Sequence, residues 1–496
     1  MIKYFKSIPQ IHYFVFLTAF FAVFLKFWEP GIGLSSTTYG AFAANIVNGQ
    51  SPLNFRLGVG AFDPFVDHPP LIIWFQALCF WLFGISAQIL RLPASILGVI
   101  AIFCTYWLSQ KKFDATSAVF SVLALLLTNT FMNFTSSGWL DMGMVGFTML
   151  GIATFESFLD DRSKIKLALS GLFFSAALLS KGLAAMALLP IAIYILYQRL
   201  RLSEMALLAV SALLPIALFD GLFYNLHHRE FFSWYSLRRE VNAAEMARVY
   251  TEKANVTWYI RELFFRSHVF FIAMFIGVFK YFKSRASKAT NTTPFIILCL
   301  GQIVVHSLVY GFTNKEYNQY LVPSFPWIAI LAGVGCSSLF KKMNADKFAR
   351  GLCITLLTIF VAATLISKKV HMGEDNEIRA MNSTVAELSE LKRIRIRALP
   401  GDQHSWEGLA SYAAWYLNLE PTLHSPEDLL KNITPQEAVL ADNSIKDMPH
   451  AAMLALGFRL CLTGQTFTLY AHESICTTER LTKRTPPSDK MGAFSR

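Results

Sequence analysis

The sequence predicts a polytopic α-helical membrane protein that carries a small α/β domain at its C-terminus. Of its 496 residues, 54% are hydrophobic and 16% are charged, whereas soluble proteins average about 25% charged residues. Long apolar runs recur up to about residue 368, and from about residue 369 the composition becomes that of a soluble domain. A large soluble enzyme is therefore excluded.

Eleven apolar runs approach the length of about 20 residues that a helix needs to cross a bilayer. The first follows Lys3 and Lys6 and has no small-residue cleavage site after it, which predicts an uncleaved signal anchor. The predicted spans lie near residues 11–28, 88–109, 115–133, 139–159, 165–181, 183–198, 203–224, 267–283, 293–313, 318–340 and 350–368.

The distribution of Lys and Arg decides how the apolar segment 69–86 is counted. If that segment lies on the membrane and the N-terminus is cytoplasmic, the short outer loops hold only Lys181 and Lys315, whereas the short inner loops hold fifteen Lys and Arg residues. Counting it as a span would invert every later loop. The net charge of +11 then reflects the positive-inside rule and predicts no nucleic-acid partner. The inner cations are Lys111, Lys112, Arg162, Lys164, Lys166, Arg199, Arg201, Lys280, Lys283, Arg285, Lys288, Lys341, Lys342, Lys347 and Arg350.

This topology predicts a membrane domain over 1–368 with two large outer loops. The first, 29–87, ends in an amphipathic, aromatic-rich helix expected to lie in the membrane interface. The second, 225–266, is dense in charged and aromatic residues. An outer α/β domain is expected over 369–479, followed by a disordered tail over 480–496.

The pattern within the C-terminal region predicts alternating strands and helices. Residues 393–399 alternate like a half-buried strand, a helical stretch follows at 405–418, and a helix start is expected near 426. An apolar run at 438–441 and a hairpin at 457–471 complete the pattern.

Seven cysteines are present, and five of them lie in apolar segments where small core residues are expected. Cys461 and Cys476 would both face an oxidising compartment. The sequence allows two alternatives: a disulfide between Cys461 and Cys476, or two unpaired thiols.

Polar residues that could perform chemistry fall on the predicted outer face. Asp63, Asp67 and His68 precede the Pro69-Pro70 pair directly after the first span, and ionisable groups next to hydrocarbon are costly enough to suggest a site. Asp141 begins a span, where it could instead cap a helix, and Lys181 could instead extend its ammonium to the interface. Further candidates are Lys315, Tyr320, Arg238, Arg239, His227 and His228.

Carboxylates beside cations at a membrane interface suit the transfer of a group from a lipid phosphate. A carboxylate takes a proton from the acceptor, and Lys, Arg or a metal neutralises the phosphate that leaves. Asp67 and His68 could also bind a divalent metal ion, with His227 or His228 as a further ligand.

In this respect the chain resembles the GT-C glycosyltransferases of the bacterial protein O-mannosyltransferase and lipid A aminoarabinose transferase type. The resemblance covers about 60–330 and rests on an ordered set of short motifs. They are Asp67-His68-Pro69-Pro70-Leu71 with Trp74, Phe83-Gly84, Arg91-Leu92-Pro93, Leu140-Asp141-Met142, Ser180-Lys181-Gly182 and Tyr320-Leu321-Val322-Pro323.

The resemblance implies a multi-pass enzyme of the bacterial inner membrane. Such an enzyme moves a sugar from a polyprenyl-phosphate donor to a lipid, protein or glycan acceptor on the periplasmic side, without a nucleotide sugar. It also implies that Asp67 and His68 lie near the donor phosphate or a metal, and that Lys181 and Tyr320 lie near the lipid carrier.

One departure from the family pattern affects the catalytic base. The family carries an Asp-Glu pair ahead of a Tyr in the first loop, where this chain reads Ser35-Ser36-Thr37-Thr38-Tyr39. Hydroxyl groups of ordinary acidity cannot act as a base at neutral pH. Asp63 or Asp67 is therefore the expected base, with Asp141 as the third candidate.

Two functions other than glycosyl transfer are compatible with a membrane protein of this composition. A flippase for lipid-linked glycans would place ionisable residues near the bilayer midplane on repeated, broken helices, and neither feature is evident. A non-catalytic glycan-binding subunit would fit the lost Asp-Glu pair.

Overall fold

A computed structural model shows a helical membrane part and a small mixed sheet. It describes residues 10–25, 27, 34–57, 65, 68–182, 188–228, 231, 256–284, 292–311, 318–339, 351, 355, 358, 362, 391–397, 410, 413–417, 419–424, 428–442, 450–463 and 467–475. The chain forms two compact units. The first comprises 1–30 and 66–370, and the second comprises 31–65 and 371–496. Residues 31–65, which the sequence analysis groups with the membrane domain, thus lie in the second unit.

The first unit is built from apolar helices that pack side by side. The 3₁₀ turn Asn318–Ser324 leads directly into its last described helix. The helices are α1 (Gln10–Leu25), α3 (Leu71–Phe83), α4 (Ala87–Lys112), α5 (Ala115–Leu127), α6 (Asn129–Thr135), α7 (Asp141–Asp161), α8 (Lys164–Lys181), α9 (Leu189–Tyr197), α10 (Leu202–His227), α11 (Val256–Ser267), α12 (Val269–Ser284), α13 (Thr293–Gly311) and α14 (Phe325–Leu339), while α2 (Leu34–Val47) belongs to the second unit.

Four helical segments of the described chain are long and apolar enough to cross a membrane, and two bent helix pairs raise the number to six. This agrees with a multi-pass membrane protein. The predicted count of eleven spans is not confirmed, and most of the predicted span 350–368 lies outside the described residues.

One predicted span is broken in the structure, and a second sharp bend lies at the start of another. The run 115–133 bends by 77° between α5 and α6 at Thr128, where side chains of the Thr-Asn-Thr sequence can compete for backbone hydrogen bonds. Helix α11 occupies the end of the predicted outer loop 225–266 and meets α12 at an angle of 100°. His268, at this bend, has a φ of 50°.

Close packing of α12 and α14 depends on small residues. A methyl group on Gly277 or Gly335 would overlap the backbone of the facing helix. Such small-residue contacts let membrane helices approach closely, and packing then replaces the hydrophobic drive that lipid cannot supply.

Helix α3 corresponds to the predicted interfacial helix, but it is not amphipathic. Apart from Gln76 its 13 residues are all apolar. One face is buried in the protein, while Trp81 and Phe83 on the other are 72% and 63% exposed. A helix of this length spans only about 20 Å, so it is too short to cross the hydrocarbon core.

The second unit contains a five-stranded mixed sheet with strand order β2-β1-β3-β5-β4. Strand β1 pairs in parallel with β2 and β3, and β5 pairs antiparallel with β3 and β4. The strands are β1 (Arg393–Arg397), β2 (Glu420–His424), β3 (Glu437–Asp442), β4 (Phe458–Thr463) and β5 (Phe467–His472), with α15 (His450–Ala455) before β4.

The predicted strand at 393–399, the apolar strand at 438–441 and the hairpin at 457–471 correspond to β1, β3, β4 and β5. The helix start expected near 426 lies outside the described residues, and residues 428–432, which follow it, form turns that lead into β3. Of the helical stretch expected at 405–418, the structure describes a short π-helical turn, Ala413–Leu417.

Arg395 is buried, although the alternation of β1 predicts an exposed arginine. Its guanidinium lies 2.9 Å from Glu437 and donates to the carbonyl oxygens of Leu429, Lys431 and Asn432. The arginine therefore holds the turn before β3 in place. In the same sheet Cys461 is disulfide-bonded, and Cys476 lies outside the described residues.

Candidate active site

Helices α7 and α8 form an antiparallel hairpin that brings two charged residues together. Asp141 is the first residue of α7 and Lys181 the last residue of α8, and the two helices are joined by Arg162 and Ser163. Because α7 and α8 rise about 31 and 27 Å, the start of one reaches the end of the other. We call this the Asp141 end of the hairpin.

Asp141 and Lys181 form a buried ion pair. The Lys181 Nζ lies 2.5 Å from Asp141 Oδ1, and the two side chains are only 1% and 4% exposed. The positions also suit the helix dipoles, since an acid at a helix N-terminus and a cation at a C-terminus are both favoured. Both charges are thus held in a place that water does not reach.

Only one of the two carboxylate oxygens of Asp141 has a described hydrogen-bond partner. Its second oxygen, Oδ2, is buried and has no hydrogen-bond partner among the described residues. Buried polar atoms are nearly always paired, and an unpaired carboxylate oxygen is therefore available to a proton donor.

The aromatic ring of Tyr320 also lies beside Lys181. The Nζ atom of Lys181 lies 5.6 Å from the centre of the Tyr320 ring, within the range of a cation–π contact. Tyr320 belongs to the 3₁₀ turn Asn318–Ser324 and is buried. The structure thus brings together Asp141, Lys181 and Tyr320 from three separate predicted motifs.

Two glycines allow the elements to meet this closely. A methyl group at Gly143 would overlap the side chain of Ile72 on α3 and lie 2.9 Å from the hydroxyl oxygen of Ser180. Gly182 ends α8 directly after Lys181 with a φ of 64°, a conformation that residues other than glycine rarely adopt.

Gln76 of α3 also lies at this end, and the sequence analysis did not identify it. Its Nε2 donates to the carbonyl oxygen of Gly138 at 2.9 Å, three residues before Asp141. The side chain is 1% exposed, and its oxygen Oε1 has no partner among the described residues. A lone polar residue in an apolar helix was the only available signal.

Most of the other predicted site residues are not among those that the structure describes. Asp63, Asp67, Lys315, Arg238 and Arg239 lie outside the described residues. His68 is partly buried just before α3, and the ring of His227 packs against Phe223 with centres 4.3 Å apart.

Metal binding by Asp67 and His68 stays a prediction. In the part of the chain that the structure describes, no group of three or more His, Cys, Asp or Glu residues could hold a metal ion.

The other end of the α7–α8 hairpin carries a second buried ionic cluster. The carboxylate of Glu156, 1% exposed, lies 2.5 Å from Lys112 Nζ and 3.9 Å from Lys111 Nζ. Tyr194 donates its hydroxyl to the other oxygen of Glu156, and Lys111 also pairs with Asp160 at 2.6 Å. Both carboxylate oxygens of Glu156 therefore have partners.

The family model described as dolichyl-phosphate-mannose-protein mannosyltransferase matches residues 67–220. An uncharacterized protein of Aquifex aeolicus (strain VF5) is 22% identical over 297 residues, which is 59% of this chain. The match spans 65% of that relative, just under two thirds of its length.

Solved structures share the fold over nearly the whole chain. ArnT from Cupriavidus metallidurans in the apo state superposes with a TM-score of 0.72 at 15% identity, over 93% of this chain and 97% of that one. The same protein bound to undecaprenyl phosphate gives 0.71 at 14% identity, with the same coverage. AglB from Archaeoglobus fulgidus, in complex with an inhibitory peptide and a dolichol-phosphate, gives 0.52 at 11% identity, over 94% and 74%.

The family-model match includes α7, α8 and both members of the buried ion pair. At these identities the structural likeness establishes the fold alone. The chain therefore has the membrane fold of ArnT and resembles the GT-C glycosyltransferases.

Proposed function

We propose that the chain transfers a sugar from a polyprenyl-phosphate donor to a lipid, protein or glycan acceptor at the Asp141 end. The observation that carries this proposal is the buried pair of Asp141 and Lys181, in which one carboxylate oxygen is available. Support also comes from the family-model match and from a neighbour of the same fold that binds undecaprenyl phosphate.

In the proposed reaction Lys181 acts on the phosphate of the donor. The bond between the sugar's C1 and the phosphate oxygen breaks, and its electron pair stays with the phosphate. The ammonium of Lys181 offsets the negative charge that develops there, an effect that is strong in a water-excluded site. The polyprenyl phosphate is the leaving group.

The acceptor hydroxyl attacks C1, and its proton passes to a carboxylate base. Asp63, Asp67 and Asp141 are the proposed candidates. Asp141 is the one whose surroundings are described, and its Oδ2 is free to accept the proton. When the donor phosphate competes for Lys181, Asp141 loses part of its counter-charge and becomes a better base.

The proposed orientation places the Asp141 end and the second unit in the periplasm and the N-terminus in the cytoplasm. It rests on the excess of Lys and Arg in the predicted inner loops and on the disulfide of Cys461, which suits an oxidising compartment. Alkaline phosphatase fused after residue 496 should be active. An inactive fusion that is expressed at a normal level would reverse the orientation.

The function is tested with purified chain reconstituted into membranes of a strain that lacks it. Radiolabelled undecaprenyl-phosphate monosaccharides are supplied, and label is followed into lipid, protein and glycan fractions. Wild type should transfer label, and Lys181→Met should reduce transfer at least 100-fold, as expected when a transition-state contact is lost. Lys166→Met, which removes a partly exposed pair with Asp161, should transfer at the wild-type rate.

Two outcomes would overturn the proposal. Label that crosses the bilayer while remaining on its carrier would identify a flippase. Label that binds to the chain but never leaves its carrier would identify a non-catalytic glycan-binding subunit.

A further inference from the structure

The hydrogen bond of Gln76 fixes which side of its amide faces the site. The carbonyl oxygen of Gly138 can only accept a hydrogen bond, so the amide nitrogen of Gln76 must be the atom that faces it. The amide oxygen Oε1 then points to the other side, where it is buried and unpartnered among the described residues. Its orientation is therefore determined by the chain, before any ligand binds.

A second buried acceptor lies at the same junction of helices. Ile72, one turn before Gln76 on the buried face of α3, contacts the start of α7 at Gly143. Gly138, the partner of Gln76, leads into Asp141, whose Oδ2 also has no described partner. Two oxygens that can only accept hydrogen bonds are thus presented where α3, α7 and α8 converge.

The chemistry of these oxygens defines the ligand group that they fit. A carboxylate oxygen and an amide oxygen repel phosphate and carboxylate groups, whereas they bind groups that bring O–H or N–H donors. Burial makes each unpaired acceptor costly, so a ligand that supplies donors recovers that cost on binding. Hydroxyl or amino groups of a sugar have this property.

The position of Lys181 indicates which sugar these oxygens meet. In the proposed function Lys181 contacts the donor phosphate, and the sugar is joined to that phosphate through a single oxygen atom. Asp141, 2.5 Å from Lys181, therefore lies within reach of the donor sugar, and Gln76 lies beside the segment that carries Asp141.

We infer that Gln76 binds a hydroxyl or amino group of the donor's sugar and gives the site its preference for a sugar-bearing carrier over bare polyprenyl phosphate. The inference rests on the proposed function and deepens it. It also sets the chemistry of the contact: the sugar group that meets Gln76 is a hydrogen-bond donor, a hydroxyl or an amino group.

The test compares binding of bare undecaprenyl phosphate with binding of undecaprenyl phosphate carrying mannose, glucose, N-acetylglucosamine, an aminopentose or glucuronic acid, using the purified full chain. Wild type should bind at least one of these sugar-bearing forms more tightly than the bare carrier. Gln76→Leu should weaken the preferred form about tenfold, the effect of one good hydrogen bond in a buried site, with the bare carrier unchanged.

Two variants separate ligand binding from a structural role. Gln76→Glu keeps both a donor to Gly138 and an acceptor oxygen only while its carboxyl group is protonated, so it should retain most of the sugar preference at acidic pH and lose it at alkaline pH. Ser95→Ala removes a comparable buried hydrogen bond, from its hydroxyl to the carbonyl oxygen of Thr135 at 3.0 Å, and should leave both affinities unchanged.

Each contrary result has a distinct meaning. If Gln76→Leu weakens the bare and sugar-bearing carriers equally, Gln76 only supports the loop of Gly138. If neither affinity changes, Oε1 meets water and not the sugar. A wild-type chain with no sugar preference also overturns the inference, and a wild-type chain that binds no form of the carrier overturns the proposed function itself.

Discussion

Helix α7 carries a buried carboxylate near each end, and the two differ in how fully they are paired. Glu156 has both oxygens engaged, by Lys112 and Tyr194 among others. Asp141 uses one oxygen for Lys181 and keeps the other unpartnered among the described residues. The two carboxylates have the same exposure, 1%, so burial alone does not distinguish them.

The difference separates a structural cluster from a candidate site. A buried charge with every hydrogen-bonding position filled holds helices in register, and it offers nothing to a ligand. A buried charge with one position open retains a cost that a ligand can remove. The Glu156 end joins α4, α7 and α9. The Asp141 end joins α3, α7, α8 and the 3₁₀ turn of Tyr320, and it leaves an oxygen available.

The largest expected effect is on transfer by Asp141→Asn. An amide keeps the shape of the side chain but cannot take a proton, so the rate per folded molecule should fall 10²- to 10⁴-fold, the usual contribution of a general base. The measurement is label transfer in reconstituted membranes, normalised to folded protein. Asp67→Asn and Asp63→Asn are assayed beside it. If either of these abolishes transfer and Asp141→Asn does not, the base lies in the first loop.

The second prediction concerns the Glu156 end, where a substitution should lower stability and leave sugar transfer unchanged. Glu156→Gln leaves Lys112 buried without its counter-charge, which should lower the free energy of unfolding by about 3–5 kcal/mol. Transfer per folded molecule should stay at the wild-type value. Unfolding in mixed detergent micelles measures the first quantity.

Asp160→Asn is the matched control for Glu156→Gln, because Asp160 also pairs with Lys111 but is 62% exposed. Asp160→Asn should lower the free energy of unfolding by less than about 1 kcal/mol. Equal losses for the two variants would show that the Glu156 cluster is not held by its buried charge.

The contrast between the two ends could be predicted only in part from sequence. Asp141 and Lys181 stand at the ends of adjacent apolar runs, and an antiparallel hairpin brings such residues together. Gln76 gave no comparable signal, because a single amide in an apolar helix does not reveal that its partner is the carbonyl of Gly138, 62 residues away.

Two other predictions failed for different physical reasons. The alternation of β1 identifies its buried isoleucines, but it cannot show that three turn carbonyls and Glu437 will pair a buried Arg395. The continuous apolar run 115–133 predicts one span, although the Thr-Asn-Thr sequence at 128–130 was a local signal for the break. Side chains with distant partners are not encoded in local periodicity.

The third prediction replaces both charges at the Asp141 end. Removing both partners of a buried ion pair with apolar groups is often neutral or stabilising by about 1–4 kcal/mol, whereas removing one is destabilising. Asp141→Leu with Lys181→Met should therefore be at least as stable as wild type and should not transfer sugar. A double variant less stable than Asp141→Leu alone would show that the pair is needed for folding.

The smallest expected effect concerns a third ion pair, Arg395 with Glu437, which extends the comparison outside the membrane. Burial raises the pKa of Glu437, but the N–H of Thr434 and the guanidinium of Arg395 outweigh it and hold that pKa below its usual range. A carboxyl group whose pKa is lowered by folding stabilises the fold above its unfolded pKa. This contribution is lost as the pH falls through the folded pKa.

Glu437→Gln keeps an acceptor oxygen and removes only the charge. At pH 7 it should lower the unfolding temperature of the second unit by about 3 °C, the change that about 1 kcal/mol causes in a domain of about 150 residues. The difference from wild type should shrink as the pH falls below about 4. Limited proteolysis of the full chain on heating, with cleavage within 391–475 as the readout, measures both values. A difference that stays constant down to pH 3 would show that Glu437 acts through its shape and not through its charge, as a fully paired structural group can.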